Sequence, residues 1–175
     1  MIVMVGKACV FELDRGLKVP KNKAVDSAIE SAIKAEEKEE MVYAQAATRS
    51  TNYRVKELLT WLATEENKHA RALSGLKSCL QSQGRWDNHA KSLGSGPALT
   101  RIPSDERQRV SKDELRVLLE AMKAEKKSIA HYAKLAAKAK SSDSKKFFEG
   151  LAEYEREHYE KLDELFEELS KLELP

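Results

Sequence analysis

The sequence predicts an all-α protein, a four-helix bundle made of two duplicated helical hairpins joined by a long crossover. Three observations predict it. Pro occurs only at positions 20, 97, 103 and 175, leaving two long stretches rich in Ala, Glu, Lys and Leu, the strongest helix formers. Apolar residues recur in those stretches at alternating spacings of three and four, the mark of one helix face. The second half also repeats the first at a constant offset of 89 residues.

Residues 24–49 form the first predicted helix. The second runs from Asn52 to about Gln83 and stops near Gly84. Its face carries Val55, Leu59, Leu62, Glu66, His69, Leu73, Leu76 and Leu80. Residues 84–110 hold Gly94, Gly96, Pro97 and Pro103 and an excess of Arg and Lys, and are read as a crossover along the bundle. Connections of that length are uncommon in compact domains unless they have a job. Ser111 and Glu114 form an S-x-x-E capping box that opens the third helix, which runs to about Lys140. Ser141-Ser142-Asp143 is a turn and cap. The fourth helix runs to about Lys171 and carries Ser144, Phe148, Leu151, Glu155, His158, Leu162, Leu165 and Leu169. The predicted organisation is an N-terminal segment 1–23 and a bundle 24–175, with hairpins 24–83 and 111–172.

Aligning residues 32–73 with 121–162 gives 14 identities in 42 positions. Lys+Arg 31 against Asp+Glu 29 leaves a net charge of +2, too balanced for a nucleic-acid or membrane-surface protein. The opening Met1-Ile2-Val3-Met4-Val5 is too short for a signal-peptide core or a membrane span, so a soluble cytoplasmic protein is expected. Cys9 and Cys79 are isolated thiols, and no C-x-x-C pair exists to hold zinc or a rubredoxin iron.

The anomaly is chemical. Glu66 and His69, and again Glu155 and His158, interrupt otherwise apolar stripes. Glu36 stands among Ile29, Ile33, Tyr43 and Ala47, and Glu125 among Leu118, Met122, Ile129 and Tyr132. Buried ionised carboxylates are costly unless paired, protonated or bound to metal. Glu36 and Glu66 lie 30 residues apart, as do Glu125 and Glu155. Each acid then sits about 22 Å from its hairpin turn, taking about 1.5 Å per residue, and the two face each other. In Glu-x-x-His both side chains reach one site. Two hairpins supply Glu, Glu-x-x-His, Glu and Glu-x-x-His, the ligand pattern of di-iron and di-manganese proteins of ferritin-like fold. Four carboxylates neutralise two divalent ions, and the oxygen and imidazole donors suit iron or manganese. His89 in the crossover and His131 off the seam are read as surface groups. Metal-free Glu–His pairing in a purely structural bundle is the alternative.

Glu36-x6-Tyr43-Ala44-x-x-Ala47, followed by Val55-Lys56-Glu57-Leu58-Leu59-x-x-Leu62-Ala63-x-x-Glu66-x-x-His69, resembles the rubrerythrin family. Glu125-x6-Tyr132-Ala133-x-x-Ala136 and Phe147-Phe148-x-x-Leu151-Ala152-x-x-Glu155-x-x-His158 repeat the signature. The resemblance implies a ferritin-like, non-haem di-iron oxidoreductase that reduces hydrogen peroxide, or oxidises Fe(II) with peroxide or O₂. It implies two iron ions, with manganese as the alternative, held by Glu36, Glu66, His69, Glu125, Glu155 and His158. It makes Tyr43 and Tyr132 phenols that hydrogen-bond ligand carboxylates. The family also carries an additional glutamate ligand. Three residues after Glu125 this chain has Ser128, whereas Glu39 and Glu40 follow Glu36, and either is a candidate for an extra carboxylate or a solvated charge. With no C-x-x-C pair, electrons are expected from a separate donor such as a rubredoxin-like protein. A homodimer is expected. Ferritin-like metal sequestration without dedicated catalysis, and a di-iron oxygenase, are rival readings of the same ligands.

Overall fold

The structure, a computed structural model, describes residues 23–83 and 110–171. Among them are four helices: α1 (Lys23–Arg49), α2 (Tyr53–Gln83), α3 (Lys112–Lys138) and α4 (Ser142–Ser170). α1 packs along α2 and α3 along α4, so the chain folds as two hairpins laid against each other. This is the predicted four-helix bundle. The expected crossover 84–110 lies outside the described residues except Val110, which is buried in the core.

The helix ends follow their caps. Asn52 is not the first residue of α2 but its cap: its Oδ1 accepts the amides of Arg54 at 3.0 Å and Val55 at 3.2 Å. α3 opens on the predicted capping box, with Ser111 and Glu114 satisfying each other's amides. It stops two residues short of the expected Lys140, because Ala139 is extended and Ser141, also extended, caps α4 with Ser144.

The apolar seam is divided in two. One cluster joins Tyr43, Leu58, Leu59 and Leu62 to Leu118, Leu162 and Leu169. The other joins Ile29, Leu73 and Leu76 to Tyr132, Phe147 and Leu151. The first lies by the α1–α2 turn and the second by the α3–α4 turn, so the two hairpins run in opposite directions. Arg54 at the start of α2 pairs with Glu168 at the end of α4 through two contacts of 2.6 and 2.5 Å. Gln83 and Val110 therefore stand at opposite ends of the bundle. No helix among the described residues is long and apolar enough to cross a membrane.

Candidate metal centre

Between the two apolar clusters lie six polar side chains, one or two from every helix. Glu36 (α1), Glu66 and His69 (α2), Glu125 (α3), and Glu155 and His158 (α4) are all at most 2% exposed. Their depth follows from the seam: each occupies a core register position that a Leu would otherwise fill.

Both imidazoles turn Nδ1 into the cluster. That of His69 lies 3.5 Å from Glu36 Oε2, 3.2 Å from Glu66 Oε2 and 3.1 Å from Glu155 Oε1. That of His158 lies 3.1 Å from Glu66 Oε1, 3.7 Å from Glu125 Oε2 and 3.5 Å from Glu155 Oε2. Glu66 and Glu155 thus offer one oxygen to each imidazole, whereas Glu36 approaches only His69 and Glu125 only His158. The two rings stack with centroids 5.2 Å apart and planes 13° from parallel. The arrangement is that of two adjacent positions, each with its own Glu and His, sharing two carboxylates.

The tyrosines cross between hairpins. Tyr43 Oη on α1 donates to Glu125 Oε1 on α3 at 2.5 Å, and Tyr132 Oη on α3 donates to Glu36 Oε1 on α1. Burial and the Glu125 carboxylate both hold the Tyr43 phenol protonated.

What these bonds leave over bears on the chemistry of the site. Among the described residues, ten buried side-chain nitrogens and oxygens have no hydrogen-bond partner, and nine belong to these six residues. Native interiors rarely orphan such groups, and each costs free energy unless something fills the site. Burial, and then the neighbouring Glu66 and Glu155 carboxylates, push Glu36 and Glu125 well above the usual carboxylate range. For Glu66 and Glu155 burial acts in the same direction, but the two imidazoles outweigh it and hold both low. Burial would depress both histidines, yet the carboxylates around them hold them well above their ordinary value. The donor set fits a pair of divalent ions: four carboxylates, two imidazole nitrogens, no thiolate, and orphaned lone pairs facing one another. Glu66, His69, Glu155 and His158 offer ligand atoms that all lie within 4.8 Å of one another.

Of the two further acids, Glu39 joins the cluster and Glu40 does not. Glu39 offers an oxygen within 4.8 Å of ligand atoms of Glu66, Glu125 and Glu155, and Ser128 Oγ donates to its carboxylate at 3.2 and 3.3 Å. Burial, reinforced by Glu66 and Glu155, pushes Glu39 up to about 8. Glu40 instead accepts from Asn67 Nδ2 at 3.0 Å. His131 is exposed, with its ring against Tyr132, while His89 lies outside the described residues.

Sequence reasoning missed the aromatic contacts to the imidazoles. Trp61 meets His158 edge-on with centroids 5.2 Å apart, and Tyr154 lies 5.8 Å from His69. Trp61 on α2 meets the imidazole of α4, and Tyr154 on α4 meets that of α2, a relation between hairpins that only the packing reveals. It also missed Glu65, which is buried off the seam and paired with Lys68 at 2.6 Å.

Comparison with known proteins agrees with the fold. A family model described as Rubrerythrin matches residues 27–166. A solved structure of a hypothetical protein from Pyrococcus furiosus is similar, with 27% identity and a TM-score of 0.64, covering 90% of this chain and 99% of that one. No curated protein matches significantly.

Proposed function

The chain belongs to the rubrerythrin family, and on that premise we propose that its buried cluster is a di-iron centre that reduces hydrogen peroxide with electrons from an external donor. Glu36 and His69 would hold one ion and Glu125 and His158 the other, with Glu66 and Glu155 within reach of both imidazoles. The observation that carries the reading is the set of nine orphaned nitrogens and oxygens, which a pair of cations would satisfy together. Manganese suits the same donors.

Iron bound there would supply two electrons, one per ion, to convert hydrogen peroxide and two protons into two waters. The protein's own part is geometric and electrostatic. Tyr43 and Tyr132 each occupy one oxygen of Glu125 and Glu36, which aims the other oxygen at the imidazole beside it. The apolar clusters on either side keep bulk water from the carboxylates. Tyr43, held protonated, keeps its proton on Oη rather than yielding it to Glu125. These 175 residues contain no C-x-x-C pair to hold a rubredoxin iron, so the electrons are proposed to come from outside them.

The test is turnover of hydrogen peroxide by iron-loaded protein with a one-electron donor. The proposal expects peroxide loss that requires both iron and the donor, and that disappears when Glu66→Ala and Glu155→Ala are combined. Uptake of many irons per chain without donor-dependent peroxide loss would mark sequestration instead.

A further inference from the structure

Electrons from an external donor must cross a protein shell, because all six residues of the cluster are at most 2% exposed. A side chain that touches a cluster imidazole on one side and solvent on the other shortens that crossing. Trp61 is such a side chain. It is half-buried, and its indole meets the His158 ring edge-on with centroids 5.2 Å apart. The Lys161 ammonium lies over the same indole, 5.5 Å from its centroid, and Lys161 is itself half-buried. Contact therefore runs from a cation at the surface through an aromatic ring to a proposed metal ligand. His158 in turn stacks on His69 at 5.2 Å, which joins it to the second position.

Two observations set Trp61 apart from ordinary packing. Its Nε1 is buried without an acceptor, and among the described residues it is the one orphaned atom of the ten that lies outside the six cluster residues. A pair of cations would satisfy the other nine and leave this one. An apolar side chain would fill the space without that cost, so stability alone does not account for an indole here. The internal repeat does not require it either: 89 residues on, the counterpart of Trp61 is Gly150. The other imidazole has a different neighbour. Tyr154 is tilted against His69 at 5.8 Å, and its own counterpart is Glu65. The two imidazoles thus differ in their link to the surface, and the shorter link is through Trp61.

Resting on the di-iron reading above, we propose that Trp61 is the entry route for electrons, which pass from an anionic one-electron donor approaching over Lys161 through the indole to His158. Reduction of the oxidised centre takes two such transfers, which return both ions from Fe(III) to Fe(II) and leave two oxidised donor molecules. The indole bridges each transfer and is itself neither oxidised nor reduced overall. Oxidation of the reduced ions by peroxide does not use this route. Trp61 acts through His158 and touches neither peroxide nor metal.

The experiment separates the two half-reactions by stopped flow. Iron-loaded protein is oxidised with peroxide and then reduced with dithionite, whose anionic sulfur dioxide radical is the one-electron donor. Trp61→Leu should slow reduction by about tenfold or more, while iron per chain and the peroxide step stay as in wild type. Trp61→Phe, which keeps a ring against His158, should restore most of the rate. Lys161→Gln leaves the core untouched and should slow reduction by dithionite but not by the cationic radical of methyl viologen. Indole fluorescence gives a readout independent of turnover. In a chain whose other tryptophan is removed by Trp86→Phe, Co(II) uptake should strongly quench Trp61. Reduction of Trp61→Leu at the wild-type rate, equal slowing of both half-reactions, or slowing in Tyr154→Leu instead would overturn the proposal. So would a Lys161→Gln chain reduced by both donors at the wild-type rate, or unquenched fluorescence with Co(II) bound. No retained iron in wild type, or iron that peroxide does not oxidise, would instead overturn the di-iron reading on which it rests.

Discussion

Tyr43 of the first hairpin donates its hydroxyl to Glu125 of the second at 2.5 Å, and its counterpart Tyr132 returns the bond to Glu36. The two phenols thus tie each hairpin to the other's carboxylate at the centre of the bundle. Tyr43→Phe keeps the ring and its packing but leaves Glu125 Oε1 without its donor. Urea unfolding of the metal-free chain should show a loss of about 1–2 kcal/mol. Metal affinity should fall about tenfold, because the carboxylate is no longer aimed. Tyr132→Phe should match it in both measurements.

The four cluster carboxylates fall into two kinds, and substitution separates them. Glu36 and Glu125 are pushed well above the usual carboxylate range by burial and by Glu66 and Glu155, which favours their neutral form in the metal-free protein. Replacing a neutral acid by a neutral amide should cost less than about 1 kcal/mol. Glu66 and Glu155 are held as anions between the two imidazoles. Glu66→Gln or Glu155→Gln leaves buried cations short of a partner and should cost about 3 kcal/mol. Denaturation of the four metal-free variants at pH 7 tests the contrast.

Metal uptake should release protons. Without metal, burial and the neighbouring carboxylates favour the protonated forms of Glu36 and Glu125, and the surrounding carboxylates favour protonated His69 and His158. Coordination requires neutral imidazoles and ionised carboxylates, so binding of divalent ions displaces protons from the cluster. A pH-stat titration measures this directly, and affinity should strengthen as pH rises from 6 to 8. Pale or absent proton release would mean that the acids and imidazoles are not the groups exchanged.

Glu114 governs acid stability. Its carboxylate accepts the amides of Thr51 at 2.8 Å, Asn52 at 2.7 Å and Ser111 at 2.9 Å, so it clamps the α1–α2 turn to the start of α3. Burial works to raise it, but the amides of Asn52, Ser111 and Thr51 and the Ser111 hydroxyl outweigh burial and hold it low. A depressed folded pKa stabilises above the unfolded carboxylate value near about 4.3, and that stabilisation is lost as pH falls through the folded value. Glu114→Gln should therefore cost about 2 kcal/mol at pH 7 and much less at pH 3. Thermal melts of both proteins across that range show whether the gap closes.

What could be read from residues alone was whatever repeats along one helix. The seam register brought Glu66, His69, Glu155 and His158 to one core, and the 30-residue spacing brought Glu36 and Glu125 to the same depth. The Ser111 capping box was legible because both partners lie within one turn. The rest depends on how two helices of different hairpins meet. Nothing in the spacing of Tyr43 says that it reaches Glu125 rather than Glu36. Nothing in Glu36-Glu37-Lys38-Glu39-Glu40 says that Glu39 turns to Ser128 while Glu40 turns to Asn67. The cap on α3 gave no hint that Glu114 would also bind Thr51 and Asn52, more than 60 residues away. Trp61 carries no signal on the seam, and its edge contact with His158 is a product of α2–α4 packing.

The most direct test of the central claim is the number of irons held and their response to peroxide. Metal-free protein is loaded anaerobically with Fe(II), unbound metal is removed, iron per chain is counted, and stoichiometric hydrogen peroxide is then added while oxidation is followed by absorption. The di-metal account predicts two irons per chain, both oxidised by one equivalent of peroxide, and neither retained when Glu66→Ala and Glu155→Ala are combined. Iron binding that survives that double substitution, or no retained iron in the wild-type chain, would contradict it.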